Sequence, residues 1–220
     1  LGEDIEVGIM KQAQFDKMKV ELQKAEAGFL AGAIPRVEWR GFDPRTNSSV
    51  IENKSWQRSV LLTYCTAARL SCSFEGSSAM EVGVEKHRSV CMALGLKKWS
   101  RMDRIDDVGG NRIDFVTDFV EDGVPEGAID AFDLVVCSNT LEHTFDIGKG
   151  FDSVFSMAKN AAVLYFSLPF MLGEHGDGHD YWRMTPACMG KMMEGRARDY
   201  VVLREQVGDK LLGVSCFALK

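Results

Sequence analysis

Residues 131–144 read Ala-Phe-Asp-Leu-Val-Val-Cys-Ser-Asn-Thr-Leu-Glu-His-Thr, an apolar strand that runs into a polar turn and then a Glu-His pair. Ser138 and Asn139 offer hydroxyl, amide and backbone groups, while Glu142 and His143 offer a carboxylate and an imidazole. Imidazole titrates closest to neutrality and is the commonest general base. A second polar cluster follows at Glu174-His175-Gly-Asp177-Gly-His179-Asp180, and Tyr181-Trp182-Arg183 continues it. Its imidazoles and carboxylates could take protons or ligate an ion. The glycine-broken loop gives no fixed helical spacing of histidines, so no resident metal is predicted. A substrate lid is preferred, with Tyr181 and Trp182 as a wall and Arg183 as a charged donor, and Glu142 as a further substrate contact. His143, His175 and Asp180 are the candidate bases.

These residues need a scaffold that brings distant turns together. From residue 79 onward the chain alternates strand and helix patterns. Strand candidates cover 79–84, 98–103, 113–118, 132–137 and 162–167, with a helix over 86–95. Such alternation predicts a mostly parallel sheet, whose ligands bind at the carboxyl ends of its strands. Residues 200–204 and 211–219 form a closing hairpin, so the sheet ends on antiparallel strands. Upstream, apolar residues at helical spacing over 3–32 predict one or two amphipathic helices, and 33–55 reads as a linker or loop around Pro35, Gly41 and Pro44. A further helix is predicted over 56–70. The expected division is an N-terminal helical segment and linker over 1–70, then an α/β domain over 71–220. The N-terminal helices could cover the sheet or form a homodimer contact.

The net charge of −6 supplies no basic field for nucleic acid. No run approaches the roughly 20 apolar residues of a membrane span. The six cysteines are scattered without a Cys-x-x-Cys pair, which argues against a zinc or disulfide framework and fits a reducing, cytoplasmic setting.

Asp133 to Val136, Ser138, Leu141-Glu142-His143, Ser167-Leu-Pro-Phe170 and Asp180-Tyr-Trp-Arg183 with Thr185-Pro186 together resemble the class I S-adenosylmethionine-dependent methyltransferases. The resemblance covers roughly 79–219. It implies a Rossmann-like, mostly parallel seven-stranded sheet with a C-terminal antiparallel β-hairpin, here preceded by N-terminal helices. It further implies S-adenosylmethionine as cofactor and a small-molecule or glycan-related acceptor. In such enzymes the first strand ends in an acidic residue and a glycine-rich turn, matched by Glu81 and Gly83; the later glycines are replaced by Glu85-Lys-His-Arg88. Asp103 lies 20 positions after Gly83, the spacing of a ribose-hydroxyl acceptor in dinucleotide folds. Asp118 resembles the residue that recognises the adenine amino group, and Ser138-Asn139 would face the methionine portion. Two competing readings stand beside methyl transfer. One is a methyltransferase-like binding module without catalysis, and the other a metal-dependent hydrolase built on residues 174–180.

Overall fold

The computed structural model describes residues 10–31, 49–84, 89–175, 178–207 and 209–220, with backbone alone for 49–58 and Val207. Its centre is a parallel run of β1 (Ala79–Val82), β2 (Ser100–Asp103), β5 (Phe115–Val116), β6 (Phe132–Ser138) and β7 (Ala158–Pro169). A hairpin of β8 (Asp199–Val207) and β9 (Lys210–Leu219) closes the chain. The seven strands are ordered β5-β2-β1-β6-β7-β9-β8, with β9 antiparallel to both of its neighbours. A small antiparallel pair, β3 (Asp107–Val108) and β4 (Asn111–Arg112), stands apart from the sheet. The predicted Rossmann-like sheet, with its terminal hairpin and preceding helices, is therefore present.

The central strands are apolar on successive positions because both of their faces are covered. Val135 and Cys137 of β6 face one core, with Leu164 and Phe166 of β7 beside them. Leu134 and Val136 face the other, with Val163 and Tyr165. The first core is covered by α4 (Ile147–Met157) and α5 (Pro186–Met193), and the second by α1 (Gln12–Leu30), α2 (Ser49–Ser71) and the short α3 (Val90–Ala93). Phe15, Met18 and Leu22, on one stripe of α1, are completely buried in this second core. Each such burial stabilises by about 1.5–3 kcal/mol, enough to hold α1 on the sheet. The carboxylate of Glu26 accepts the backbone N–H of Arg204 at 2.7 Å, which occupies an amide of the edge strand β8 and blunts that edge.

Strand ends shift by a few residues, β7 beginning at Ala158 and β2 at Ser100, and three elements depart further from the sequence prediction. Helix α2 begins at Ser49, inside the predicted linker, whose residues 33–48 lie outside the described residues. The third strand shrinks to Phe115–Val116, since Asp114 takes the backbone N–H of Arg101 on its side chain and the chain then turns away. Only Val90–Ala93 of the predicted 86–95 helix is helical among the described residues, and 85–88 lie outside them.

At the opposite end of the sheet from the site, Asp133 joins β6 to its surroundings. Its carboxylate accepts from the N–H of Ser78 at 2.8 Å, the hydroxyl of Ser78 at 2.6 Å and Nζ of Lys159 at 3.0 Å. Burial pushes the Asp133 pKa up, but Ser78 and Lys159 together outweigh it and hold the group below its ordinary value. A depressed carboxylate contributes stability that is present above the unfolded-state pKa and is lost as pH falls through the folded value. Denaturant midpoints should therefore fall as pH drops below about 4. Asp133→Asn should be less stable at neutral pH and should show a smaller part of that fall.

Candidate active site

The carboxyl ends of β1, β2, β5 and β6 converge on a cleft of about 270 Å³. It lies at the point where chain order reverses across the sheet, between β1 and β6, where open α/β sheets bind their ligands. Gly83 follows β1 with φ of +72°, a left-handed conformation that glycine adopts without a Cβ penalty. A Cβ at that position would lie 2.0 Å from Oγ1 of Thr140. Thr140 follows β6, and its hydroxyl is 3.1 Å from the carbonyls of both Val82 and Ser138. The turns after β1 and β6 are thus interlocked through one threonine, and both line the cleft.

Asp103 ends β2 and lines the cleft. One of its oxygens accepts the N–H of Val84 at 2.9 Å and the other the N–H of Arg104 at 2.7 Å. A carboxylate has about four acceptor positions, so each oxygen keeps capacity for a ligand hydroxyl. Phe119, Met102 and Val84 provide apolar lining, and Thr117 and Arg104 polar lining.

Asn139 also lines the cleft. It has φ of +47°, in the left-handed region that Asn tolerates better than most residues, and its N–H donates to the Ser167 carbonyl at 2.9 Å.

Other residues predicted for this site are placed elsewhere. Glu81 is buried behind the turn, where its two oxygens accept from the N–H of Val90 and the indole of Trp99, each at 2.9 Å. Burial pushes its pKa up, and the hydrogen bonds from Ser89, Val90 and Trp99 oppose that. Asp118 does not line the cleft: it caps its own turn through the N–H groups of Val120 and Glu121 and pairs with Nε of Arg104 at 3.0 Å. The hydroxyl of Ser138 lies 2.8 Å from that of Ser167 and ties β6 to β7.

Residues Leu141–His143 form a single 3-10 turn rather than the start of a helix, and α4 begins only at Ile147. The indole of Trp182 donates to the carbonyls of Thr144 and Phe145, which helical amides would otherwise take. Asp146 then caps α4 by accepting the N–H of Lys149 at 2.9 Å. Gly150 lets α4 approach the turn closely, since a Cβ there would lie 2.8 Å from Leu141. Trp182 is thereby a peg beneath the loop, with part of its ring exposed.

The turn exposes His143 to the cleft and buries Glu142 completely. Across from them, the loop after β7 is tied down at several points. Tyr181 donates its N–H to the Glu142 carbonyl at 2.8 Å, and Met184 donates to the carbonyl of Pro169 at 3.1 Å. Arg183 clamps Asp180 with two hydrogen bonds of 2.6 Å and also reaches the carbonyl of Leu172 at 3.0 Å. That clamp, helped by the N–H of His175, holds the Asp180 carboxyl far below the usual range. A carboxylate so engaged is a poor proton acceptor near neutral pH. His175 stands beside it, with Nδ1 3.1 Å from Asp180 Oδ2, and its ring meets that of His143 edge-on at 4.9 Å. The ring of Tyr181 packs edge-on against Phe145, and both remain exposed. Thr140, Thr144, Val84, Arg104, Thr117 and Phe119 line the cleft without having been singled out. Thr140 was nevertheless within the polar turn that sequence flagged.

No protein-family model matches the chain, and no curated protein matches its sequence. Solved structures match it in fold. A SAM-dependent methyltransferase from Archaeoglobus fulgidus superposes with a TM-score of 0.55 at 12% identity, over 79% of this chain and 100% of that one. The sheet has the fold of S-adenosylmethionine-dependent methyltransferases. The same match extends to the 1,6-didemethyltoxoflavin-N1-methyltransferase of Burkholderia thailandensis, solved with 1,6-didemethyltoxoflavin and S-adenosylhomocysteine. Its TM-score is 0.53 at 13% identity, over 84% of this chain and 99% of that one. The DhpI–SAH complex gives 0.52 at 14% identity, over 79% of this chain and 98% of that one.

Among the described residues, no helix is long and apolar enough to cross a membrane. Among the described residues no disulfide joins the six cysteines, and of these only Cys188 is exposed.

Proposed function

We propose that this chain transfers the methyl group of S-adenosylmethionine to a small-molecule or glycan-related acceptor. The observation that carries the proposal is the placement of Asp103 beside the left-handed Gly83 turn, both lining the cleft at the switch point of a methyltransferase-type sheet. The residues fit the cofactor. Asp103 has spare acceptor capacity for two ribose hydroxyls, Phe119 and Met102 offer apolar surface for a base, and Asn139 offers an amide toward the amino-acid end. Bound there, S-adenosylmethionine supplies an electrophilic methyl; the acceptor's lone pair forms the new bond as the C–S bond breaks, and the electron pair stays on sulfur in S-adenosylhomocysteine. The chain contributes alignment and exclusion of water more than acid–base chemistry.

Glu81 and Asp118, given cofactor contacts on family resemblance, act instead as supports: the first holds the segment at Val90 and the second holds Arg104. Asp180 and Arg183 form a clamp that fixes the loop carrying His175 and Tyr181. The exposed ring of Phe145, next in sequence to the cleft residue Thr144, and that of Tyr181, packed edge-on against it, form the acceptor's apolar wall. A small-molecule acceptor is consistent with the ligand of the Burkholderia neighbour. The scattered cysteines, without a Cys-x-x-Cys pair, support a cytoplasmic setting. The division carried with this proposal is an N-terminal helical segment and linker over 1–70 and a methyltransferase-like α/β domain over 71–220.

S-adenosylhomocysteine at about 100 times its dissociation constant should stabilise the protein by about 2.7 kcal/mol, visible as a rise in melting temperature. Adenine alone should give a much smaller rise. Equal shifts with both would show that Asp103 and Asn139 make no contact beyond the base.

A further inference from the structure

Glu142 is buried to 0% exposure, and among the described residues neither of its carboxylate oxygens meets a hydrogen-bond donor other than its own backbone N–H. A buried carboxylate in that state is unfavourable by several kcal/mol unless a cation faces it or a proton neutralises it. The cation nearest in its surroundings, Arg183, is already engaged by Asp180. Two imidazoles also face it: Nε2 of His143 and Nε2 of His175 each lie 3.9 Å from Glu142 Oε1.

That separation is too long for a hydrogen bond but suits two ligands on one ion. Ligand atoms about 2.0–2.2 Å from a shared tetrahedral ion lie roughly 3.3–3.6 Å from one another. The three ligand atoms of Glu142, His143 and His175 all fall within 4.8 Å of each other. Closure by roughly 1.2 Å would bring the widest pair into range.

The outer side of each ring supports the same conclusion. Nδ1 of His143 meets the backbone carbonyl of His179, and Nδ1 of His175 lies 3.1 Å from the Asp180 carboxylate. His175 Nδ1 also lies 3.3 Å from the Gly173 carbonyl. With acceptors on both outer nitrogens, a proton held there leaves each Nε2, 3.9 Å from Glu142 Oε1, as the ligand atom. Metal-binding histidines are fixed in this manner, with the outer N–H held by a carbonyl or carboxylate. Asp180 is itself fixed by the bidentate contact with Arg183. Three electron-rich atoms converge, and their orienting groups are in place.

We propose that Glu142, His143 and His175 form a binding site for a first-row divalent transition-metal ion of the zinc type, in the wall of the cleft. Two imidazole nitrogens and one carboxylate oxygen favour zinc, iron or nickel over magnesium or calcium, which take all-oxygen sites. Three protein ligands leave at least one coordination position open. Since His143 also lines the cleft, the ion is placed to polarise an oxygen or nitrogen of the acceptor. That use of the ion rests on the methyl-transfer proposal; its binding does not. Sequence sought metal ligands within 174–180 alone, whereas the structure joins His175 of that run to two residues of the turn after β6.

The test is calorimetric titration of the full chain, stripped with chelator, with Zn²⁺ and separately with Mg²⁺. One equivalent of Zn²⁺ should bind with a dissociation constant of about 10 µM or tighter, and Mg²⁺ should not compete. Glu142→Gln, which keeps shape and removes the charge, and His175→Ala should each weaken Zn²⁺ binding by about 10- to 100-fold or more, as loss of even an outer-shell partner does. Cys188→Ser should leave binding unchanged. Co²⁺ titration followed by visible absorption gives a second readout, whose band should change in Glu142→Gln. Absence of saturable Zn²⁺ binding at about 100 µM would overturn the proposal. So would one-equivalent binding that survives unchanged in both variants, which would mark an adventitious ion elsewhere. Repeating the titration with S-adenosylhomocysteine present separates the two proposals, because zinc binding is expected with or without it.

Discussion

Replacing Gly83 with alanine is expected to destabilise the protein by about 2–5 kcal/mol and to abolish cofactor binding in the fraction that folds. Two effects combine. The residue sits at φ of +72°, where a side chain costs about 1–2 kcal/mol. The new Cβ would also lie 2.0 Å from Oγ1, 2.6 Å from Cγ2 and 2.8 Å from Cβ of Thr140, so rotating the threonine cannot relieve the overlap. The turn after β1 or the turn after β6 must move, and both line the cleft. Such a loss is a large share of the roughly 5–15 kcal/mol that holds a typical domain folded. Urea denaturation of Gly83→Ala, Thr140→Ala and the double variant forms a cycle that isolates the overlap. The double variant should recover part of the loss, since the two nearest atoms are gone while the backbone strain remains. Simple additivity of the two single losses would mean that the turns are not interlocked.

The second large effect is on affinity. Asp103→Ala should weaken S-adenosylhomocysteine binding by about 10- to 100-fold or more, because each hydrogen bond to a charged group is worth about 1.5–3 kcal/mol. The fold should survive, since Asp103 is partly exposed at a strand end. Asp103→Asn should fall in between, because the amide keeps one acceptor oxygen. Titration calorimetry measures the affinities and circular dichroism checks the fold. Unchanged affinity in well-folded Asp103→Ala would remove this carboxylate from the site.

Strands β1, β2, β6 and β7 and the β8–β9 hairpin were legible because strand patterning is local, and burial on both faces leaves near-continuous apolar runs. The spacing of Gly83 and Asp103 was legible because a strand–helix–strand unit fixes how far apart successive strand ends fall. Glu81 was misplaced for a different reason. Its position in the chain matches an acidic residue before a glycine, but whether its carboxylate points into the cleft depends on Val90 and Trp99, which pack behind it. Asp118 likewise has the spacing of a cofactor contact, but its own turn and Arg104 occupy it. The 3-10 turn at 141–143 was read as helix because Leu-Glu-His carries ordinary helical propensity; Trp182, 38 positions beyond Thr144, takes the carbonyls that a helix would need. The convergence of Glu142 with His175 depends on the loop after β7 folding back, and no local pattern encodes that contact.

The measurement that bears most directly on the central claim is calorimetric titration of the metal-stripped full chain with S-adenosylmethionine and S-adenosylhomocysteine. Cleft geometry predicts saturable one-to-one binding of both in the micromolar range, with S-adenosylhomocysteine displaced by excess S-adenosylmethionine. No detectable binding of either at millimolar ligand, in protein shown to be folded, would contradict the methyltransferase assignment and leave a shared sheet without the shared chemistry.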